Sequence, residues 1–383
     1  MVMAQFVEPE GNNIAGLFNS TNYDPNGIGL ALSGGGYKAA AYHLGALIRL
    51  NQLGWLPKLS RISSVSGGSI ASGFLGYSWK KLSFDANGVA TNFDSIFATP
   101  LRDFLTEVNL DVTQTLLGLL LPFRSAADGV AEGYDKHLFK KATLQDLPAD
   151  GEGPRFTIVA TNYELNSLWR FSKPYAADYR VGKIDAPVFS LARVVAASSA
   201  FPPFFCPIEL DFGGQQVIAT PGADRHQGAF LERAMLADGG IYDNLGLEPI
   251  WKRYGTLLVS NAGGAFDEQH HPSDWPSLLL RVINMIHRQA ENNRQRVLMV
   301  LAGTHERKVG YWPLRNDGSN YPDPSPARPT PQDIQAAQNE SVRLWSLGIK
   351  AFARLANHGY SLTDSAMRSY FDTAGGAPAH LPY

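Results

Sequence analysis

The sequence predicts an α/β protein that is built around a parallel sheet. Two short apolar segments, Ile28–Leu32 and Arg61–Val65, each run into a glycine-rich turn. A helical pattern follows both turns, over Lys38–Gln52 after the first turn and from Ser69 after the second. This order of strand, turn and helix is typical of a βαβ unit, in which two parallel strands lie side by side.

Further apolar runs extend this prediction along the chain. Arg155–Thr161 and Thr256–Asn261 have the composition of strands that are buried on both faces. Helices are predicted over Leu191–Ala200 and from about Ser277 to Leu301. We expect a single domain over residues 1–383, because the chain contains no repeat and no clear domain boundary.

Prolines mark an irregular surface segment at about 311–331, ahead of the C-terminal helices. Six prolines lie between Pro313 and Pro331, which is too many for a regular helix or a central strand. Thr330 and Pro331 are followed by Asp333, and this pattern predicts the start of a helix.

Composition and charge exclude several classes of protein. Hydrophobic residues make up 44% of the chain and charged residues 18%, which predicts a sizeable core rather than disorder. The formal net charge of −2 gives no overall attraction to nucleic acid, and we expect no nucleic-acid partner. Any transient contact with a membrane or lipid surface would therefore depend on apolar side chains. Cys206 is the single cysteine, so no intrachain disulfide forms.

No segment of the sequence predicts secretion or membrane spanning. Met1–Gly11 lacks the basic region and apolar core of a signal peptide. The longest leucine-rich run, Leu116–Phe123, has eight residues, whereas crossing a bilayer takes roughly twenty. We expect a soluble, cytoplasmic protein, in which Leu116–Phe123 is either an apolar lid that meets lipid or a buried helix.

The first glycine turn has two functional interpretations. Gly34, Gly36 and Ala39 fit the spacing of a dinucleotide-binding fingerprint, but that fingerprint also requires an acidic residue about twenty positions further on. No Asp or Glu occurs in residues 25–84, which removes this second anchor. The backbone N–H groups of Gly35 and Gly36 would instead hold the negative oxygen of a tetrahedral acyl intermediate. A plain tight turn is the alternative that stays open.

Other cofactor and metal sites have less support. Gly182 and Lys183 are followed by Ile184, without the earlier glycine of a phosphate-binding loop. No histidine pair has the H-E-x-x-H spacing of a zinc hydrolase. We therefore predict neither a cofactor nor a metal.

The second glycine turn places Ser66 where a nucleophile would be exposed. A sharp turn from strand to helix presents the serine hydroxyl at the sheet edge, provided that the residues two positions away are small. Ser64 and Gly68 meet this condition, although Ser64 replaces the first glycine of the G-x-S-x-G pattern. Ser66 lies 31 positions after Gly35, which leaves room for one helix and one strand, so parallel pairing would bring both turns to the same edge.

Asp238 is the candidate base, and histidines remain an alternative. Asp238 stands beside Gly239 and Gly240 among apolar neighbours, where burial would raise its pKa and make it a better proton acceptor. A solvated Asp–Gly turn is the simpler interpretation. A serine triad would add a histidine after the acid, and four histidines lie downstream of Asp238. They are His270, His271, His287 and His305.

Four segments, taken together and in this order, resemble the patatin-like phospholipase family. The match in the first glycine turn departs from the family at Lys38, where arginine is usual, and at Ala39, where glycine is usual. The four segments are Ser33–Lys38, Ser64–Gly68, Ala196–Pro202 and Asp238–Gly240. The C-terminal stretch Asn357–Leu362 is also similar to bacterial members.

This resemblance implies a three-layer α/β/α fold with a mostly parallel central sheet, and a serine acyl hydrolase acting on carboxylic esters of lipids. It implies a catalytic dyad without histidine, formed by Ser66 as nucleophile and Asp238 as base. Gly34, Gly35 and Gly36 would supply the oxyanion hole. Two other functions stay open on the same fold: a lipid-binding regulatory module without turnover, and an acyltransferase in which an alcohol replaces water.

Overall fold

The computed structural model describes residues 22–110, 126–202, 205–263, 274–371 and 376–383. The segment Leu116–Phe123, predicted as a lid or a buried helix, lies outside the described residues. His270 and His271 lie outside them as well. Among the described helices, none combines the length and the apolar character that are needed to cross a membrane.

Strands and helices alternate through the first half of the fold, as the glycine turns predict. The strands are β1 (Asp24–Leu32), β2 (Arg61–Ser64), β3 (Arg155–Asn162), β4 (Ser167–Phe171), β5 (Tyr175–Asp178), β6 (Gly182–Asp185), β7 (Ile208–Asp211), β8 (Arg233–Asp238), β9 (Tyr254–Asn261) and β10 (Lys308–Pro313). The longer helices are α1 (Gly36–Gln52), α2 (Gly67–Ser78), α3 (Thr99–Glu107), α4 (Ala126–Tyr134), α5 (Leu191–Ser198), α6 (Trp275–Gly303), α7 (Pro331–Gln338) and α8 (Ile349–Tyr370). Asp238 is followed by a single helical turn, Gly240–Asp243.

The central sheet is parallel in the half that carries the glycine turns and antiparallel in the other half. The parallel half has the strand order β10, β9, β1, β2, β3. Beyond β3 the sheet continues through β4, β5 and β6, all antiparallel to their neighbours. The α/β fold is confirmed, and the sheet is mixed because hairpins, rather than crossover helices, connect the later strands.

Helices cover both faces of the sheet and give the three predicted layers. Alternate residues of β1 point to opposite faces. Leu30 and Leu32 belong to the large core that contains residues of α1, α2 and α8, whereas Ala31 belongs to a smaller core with Leu298 and Leu301 of α6. The helix α6 therefore covers the face of the sheet opposite to α1.

Two strands end against the same side of β3. Strand β2 pairs with the first half of β3, up to Ser64 opposite Ile158. Strand β8 pairs antiparallel with the second half of β3, where Asp238 lies opposite Ala160. Because β4 occupies the other side of β3 there, the carboxyl ends of β2 and β8 approach each other, separated by about 7 Å along β3.

The C-terminal helix α8 packs against α1 and fixes its position. A Cβ atom at Gly45 would overlap the Ala356 carbonyl oxygen, so the two helices pack with their backbones in close contact. A buried ion pair joins Arg49 of α1 to Asp364 of α8 at 2.7 Å. This packing holds α1, and with it the glycine turn from which α1 begins.

The proline-rich segment is partly regular. The prediction of an irregular segment was wrong for Tyr311–Pro313, which belong to β10 and pair with β9. The side chain of Trp312 is buried and holds this strand at the edge of the sheet. Pro313 is the last residue of the strand, where a proline, which has no N–H, is tolerated. The predicted helix start at Thr330 is confirmed, since its side chain accepts a hydrogen bond from the Asp333 N–H at 3.2 Å.

Candidate active site

Ser66 occupies a strained turn between β2 and α2. Its backbone has φ 50° and ψ −121°. Residues other than glycine rarely adopt a positive φ. Glycine on both following positions makes this turn possible, because a Cβ atom at Gly67 would overlap the Gly36 carbonyl oxygen, and one at Gly68 would overlap that of Leu32. The two glycine turns are therefore in direct contact, as the sequence predicts.

Ser64 is accommodated where the nucleophile elbow has a glycine. Its hydroxyl oxygen accepts hydrogen bonds from Ser69 at 3.1 Å and from Ser72 at 2.5 Å, both on α2. The small polar side chain thus ties the end of β2 to the helix that follows the turn.

The Ser66 hydroxyl lies close enough to the Asp238 carboxylate to lower the pKa of that group. Burial of Asp238 raises the pKa of its carboxyl from the ordinary 3.8 to about 6, since ionisation is costly away from water. The Gly240 N–H, 2.7 Å from Oδ1, and the Ser66 hydroxyl oppose this rise by stabilising the carboxylate. The structure thus brings together the two residues predicted as nucleophile and base, and gives the acid a pKa just below neutrality.

Ser198 joins the ends of the two strands that carry these residues. Its hydroxyl oxygen accepts the Ser66 N–H at 2.9 Å and donates to the Val159 carbonyl of β3 at 2.7 Å. Its own carbonyl accepts the Gly239 N–H at 3.2 Å. Sequence reasoning found the segment around Ser198 only through the family resemblance, and it assigned no role to this residue.

The first glycine turn presents two free backbone donors beside Ser66. The N–H of Gly34 donates to the Asn244 carbonyl at 3.0 Å, so it is not available to an oxyanion. Within the described residues the N–H groups of Gly35 and Gly36 have no acceptor. Gly34 instead provides space, since a Cβ atom there would lie 2.5 Å from Asn244 Oδ1 and 3.2 Å from Ser66 Cβ. Of the three glycines predicted to supply the oxyanion hole, only Gly35 and Gly36 therefore have an N–H available as a donor.

One further free donor lies at the start of α2. The N–H of Gly67 has no acceptor among the residues that the structure describes. This N–H follows the candidate nucleophile directly and lies at the positive end of the helix dipole. The sequence signal for it was the elbow pattern itself, in which the residue after the serine is a common oxyanion donor.

Of the candidate histidines that the structure describes, His287 lies nearest the acid. Its Nε2 approaches Gly240, where a Cβ atom would lie 3.1 Å from it. Burial lowers the pKa of His287. His305 is exposed after the end of α6. The Ser66 hydroxyl is among the groups that shift the pKa of Asp238, whereas neither of these two histidines is.

A buried polar network supports the glycine turns from the side of α6. Glu291 of α6 accepts hydrogen bonds from Asn261 at 3.0 Å and from Asn244 at 3.5 Å, and pairs with Arg288 at 3.3 Å. Asn244 in turn holds Gly34 through its carbonyl. These residues lie on three separate segments, so sequence spacing gave no signal that they meet.

Lys38, which stands where the family usually has arginine, faces inward. Its side chain is buried and its Nζ donates to the Gln338 carbonyl at 3.2 Å. The side chain therefore anchors the C-terminal end of α7 to α1.

The fold and this arrangement define a class of α/β proteins in which a serine in a sharp strand-to-helix turn lies beside a buried carboxylate. The sequence model of the patatin-like phospholipase family matches residues 30–251, which is more than half of the chain. The chain belongs to the patatin-like phospholipase family. No curated protein matches it in sequence.

Solved structures share the fold. Human GIVD cytosolic phospholipase A2 is 13% identical, with a TM-score of 0.52 over 90% of this chain and 63% of that chain. Its complex with methyl γ-linolenyl fluorophosphonate and terbium chloride gives a TM-score of 0.54 at 13% identity, over 90% of this chain and 58% of that chain. VipD from Legionella pneumophila is 18% identical, with a TM-score of 0.39 over 91% and 68% of the two chains. The chain spans about three fifths of the length of the human structures.

Proposed function

We propose that the protein is a serine acyl hydrolase that cleaves carboxylic esters of lipids, with Ser66 as nucleophile and Asp238 as base. The observation that carries this proposal is the meeting of the Ser66 turn with the end of β8, where the Ser66 hydroxyl lowers the pKa of the buried Asp238 carboxylate, which burial raises to about 6. Such a carboxylate is ionised at neutral pH and is still basic enough to take a proton. Membership of the patatin-like phospholipase family supports lipid esters as the substrate class.

In the first half of the proposed reaction, Ser66 Oγ attacks the ester carbonyl carbon while Asp238 takes the hydroxyl proton. The carbonyl oxygen becomes negative and is held by the free N–H groups of Gly35 and Gly36, with Gly67 at the helix start. The ester C–O bond then breaks, Asp238 returns the proton to the departing alcohol oxygen, and the acyl group stays on Ser66.

In the second half, water attacks the acyl carbon while Asp238 accepts a proton from it. The bond from the acyl carbon to Ser66 Oγ breaks, the proton passes to Ser66, and the carboxylic acid leaves. Each preorganised backbone donor is expected to contribute about 10²–10³ in rate.

The proposal is tested by fatty-acid release from short-chain esters, long-chain esters and phosphatidylcholine. Wild type is compared with Ser66→Ala and with Ser95→Ala. The second variant removes the hydroxyl of an exposed serine outside the Ser66 turn. We expect Ser66→Ala to abolish release and Ser95→Ala to retain it. Equal activity of Ser66→Ala and wild type would move the chemistry to another residue.

A second comparison separates the dyad from a histidine triad. Asp238→Asn removes the base, whereas His287→Ala removes the described histidine nearest to it. We expect Asp238→Asn to lose at least about 10³ in kcat, by analogy with the loss of other general bases, and His287→Ala to stay within about tenfold of wild type. The opposite order of effects would identify a triad.

A further inference from the structure

A buried guanidinium group, that of Arg61, lies at the amino end of the central sheet. Arg61 is the first residue of β2 and is 2% exposed. Its Nε donates to the Tyr254 hydroxyl at 3.2 Å and its Nη1 to the Tyr175 hydroxyl at 3.3 Å. Ser66 follows the opposite end of this strand, about 16 Å further along. The cation therefore lies outside the candidate active site, and its two acceptors are phenols rather than carboxylates.

Glycines of β1 make room for this arrangement. Gly29 lies opposite Arg61 in the sheet. A Cβ atom at Gly29 would lie 2.9 Å from the Tyr254 ring, and one at Gly27 would overlap the same ring. The ring of Tyr254 therefore lies over β1, and its hydroxyl meets Arg61 of the neighbouring strand.

Two more arginines share this region with Arg61. Arg170 of β4 and Arg253, directly before β9, are both half-buried. Burial raises the pKa of the Tyr175 phenol, yet the three guanidinium groups together lower it to about 8. The pKa of Arg253 is lowered by burial and by the charges of Arg61 and Arg170. Three cations that repel one another therefore lie around one phenol. We call Arg61, Arg170 and Arg253 the arginine cluster.

The arginine cluster has no carboxylate partner in the parts of the chain that the structure describes. None of its three members forms an ion pair there. Asp150, whose pKa is lowered by Arg155 and by Arg61, pairs with Arg155, so the charges of this pair cancel. The Nε of Arg170 is buried and lacks a hydrogen-bond acceptor. Because a buried charge is costly without a counter-charge, the cluster favours an anionic ligand.

Two buried hydroxyl groups continue this polar surface along the sheet. Ser63 and Thr157 lie opposite each other on β2 and β3, two residues beyond Arg61 and Arg155, and therefore on the same face of the sheet. Both residues are 0% exposed, and within the described residues neither hydroxyl has a hydrogen-bond partner. Buried hydroxyls normally have partners, so these two are free to donate to a ligand held by the arginines.

We propose that the arginine cluster binds a phosphate dianion, either as inorganic phosphate or as a phosphate monoester. The planar fork of a guanidinium group matches phosphate oxygens, with which it forms paired hydrogen bonds. A dianion also offsets more of the three positive charges than a single carboxylate would. The hydroxyls of Ser63 and Thr157 would donate to the phosphate oxygens that face the sheet. The site does not depend on the proposed function, because it lies at the opposite edge of the sheet from Ser66.

Calorimetric titration with inorganic phosphate tests the site, at pH 7.5 in chloride buffer of constant ionic strength. The test variant is Arg170→Gln with Arg253→Gln, which leaves buried Arg61 in place. The matched control is Arg296→Gln with Arg328→Gln, which removes the same charge from two exposed arginines. Circular dichroism melting in chloride shows that both variants are folded. The double substitution in the cluster should not lower Tm in chloride, because it relieves repulsion around Arg61.

We expect wild type and control to bind phosphate equally, and the test variant to bind at least about tenfold more weakly, because charge-assisted hydrogen bonds are lost. Phosphate should also raise the Tm of wild type, since it binds the folded chain. Absence of binding by wild type, or equal affinity of test variant and control, would overturn the site.

A second ligand separates a free phosphate from a lipid headgroup. Glycerophosphocholine is a phosphodiester with a single negative charge on its phosphate, as in a phospholipid headgroup. We expect it to bind wild type at least about tenfold more weakly than inorganic phosphate, because it places one negative charge rather than two among the arginines. Equal or tighter binding of the diester would overturn the assignment to a dianion. Binding is measured without an ester substrate, so a failure of hydrolysis would reject the proposed function alone.

Discussion

Ser66 and Asp238 meet because β2 and β8 run in opposite directions along one side of β3 and their carboxyl ends face each other. Ser64 of β2 faces Ile158, and Asp238 of β8 faces Ala160, two residues further along the same strand. The gap holds the turn of Ser66, and the hydroxyl of this serine lowers the pKa of the Asp238 carboxylate. A mixed sheet therefore brings the candidate nucleophile and the candidate base to one place in the fold.

Activity is expected to rise with pH through the pKa of Asp238. The base must be ionised to accept the Ser66 proton, and its pKa is about 6 because burial raises it. We predict that kcat/KM on a soluble ester increases about tenfold per pH unit below this value and levels off above about pH 7. A profile measured from pH 4.5 to 8.5 checks this. A flat profile, or activity that falls as pH rises through 6, would exclude Asp238 as the base.

The same pKa predicts that Asp238 lowers stability at neutral pH. Its folded-state pKa lies above the ordinary value, so the folded protein binds the proton more tightly than the unfolded chain does. The resulting stabilisation is complete below about pH 4 and is lost as pH rises to about 6. The difference between 3.8 and about 6 corresponds to about 3 kcal/mol at most.

Asp238→Asn removes this cost, and we expect the variant to be up to about 3 kcal/mol more stable than wild type at pH 7.5. The gain should shrink towards zero near pH 4, where both side chains are neutral. Denaturant unfolding at the two pH values measures it. Asp211→Asn is the control, because exposed Asp211 accepts the same kind of bond, from the Gly213 N–H at 2.7 Å. A variant that is less stable than wild type at pH 7.5 would contradict the prediction.

The local parts of the site were predictable from the sequence. The two glycine turns, the strands before them and the helices after them all follow from short-range patterns, and the structure places each within a few residues of the prediction. The contact between the turns was predictable too, because the βαβ rule makes β1 and β2 neighbours. Asp238 could be proposed, although nothing local indicated that it lies at the end of a strand.

The remaining features depend on pairings between distant segments. Strand β8 pairs with β3 across more than seventy residues of chain, and this pairing alone fixes Asp238 opposite Ala160. The link through Ser198 requires that pairing to exist first. Helix α6 was predicted, but the polar inner face of its first half is explained only by the network around Glu291. Sequence periodicity does not distinguish an inward from an outward apolar face.

Gly67→Ala is predicted to disturb both turns at once. The added Cβ atom would overlap the Gly36 carbonyl oxygen, so the first glycine turn must move away from Ser66. We expect a loss of about 1–3 kcal/mol of stability from overpacking, and a loss of at least about 10² in kcat as the oxyanion donors are displaced. Gly303→Ala is the control, because a Cβ atom there meets nothing within 4 Å. If Gly67→Ala kept wild-type kcat, contact between the turns would have no part in catalysis.

Ser198→Ala is predicted to impair catalysis through the position of Ser66. The change removes the acceptor of the Ser66 N–H and the donor to the Val159 carbonyl, both of which are buried. Each such loss costs about 1–3 kcal/mol. The strained turn would then relax, and we expect kcat to fall about 10- to 100-fold, since small misplacements of a nucleophile are costly.

The neighbouring variant Ser199→Ala distinguishes a positioning role from a general loss of stability. The Ser199 hydroxyl donates to the Val195 carbonyl of its own helix at 3.0 Å, so its removal leaves the Ser66 turn unchanged. Steady-state kinetics on a soluble ester should give a lower kcat for Ser198→Ala, with KM and the apparent pKa near 6 both retained, because the base and the substrate contacts persist. Equal kcat values for the two variants at a temperature where both are folded would show that Ser198 acts on stability alone. A shifted apparent pKa would instead place its effect on Asp238.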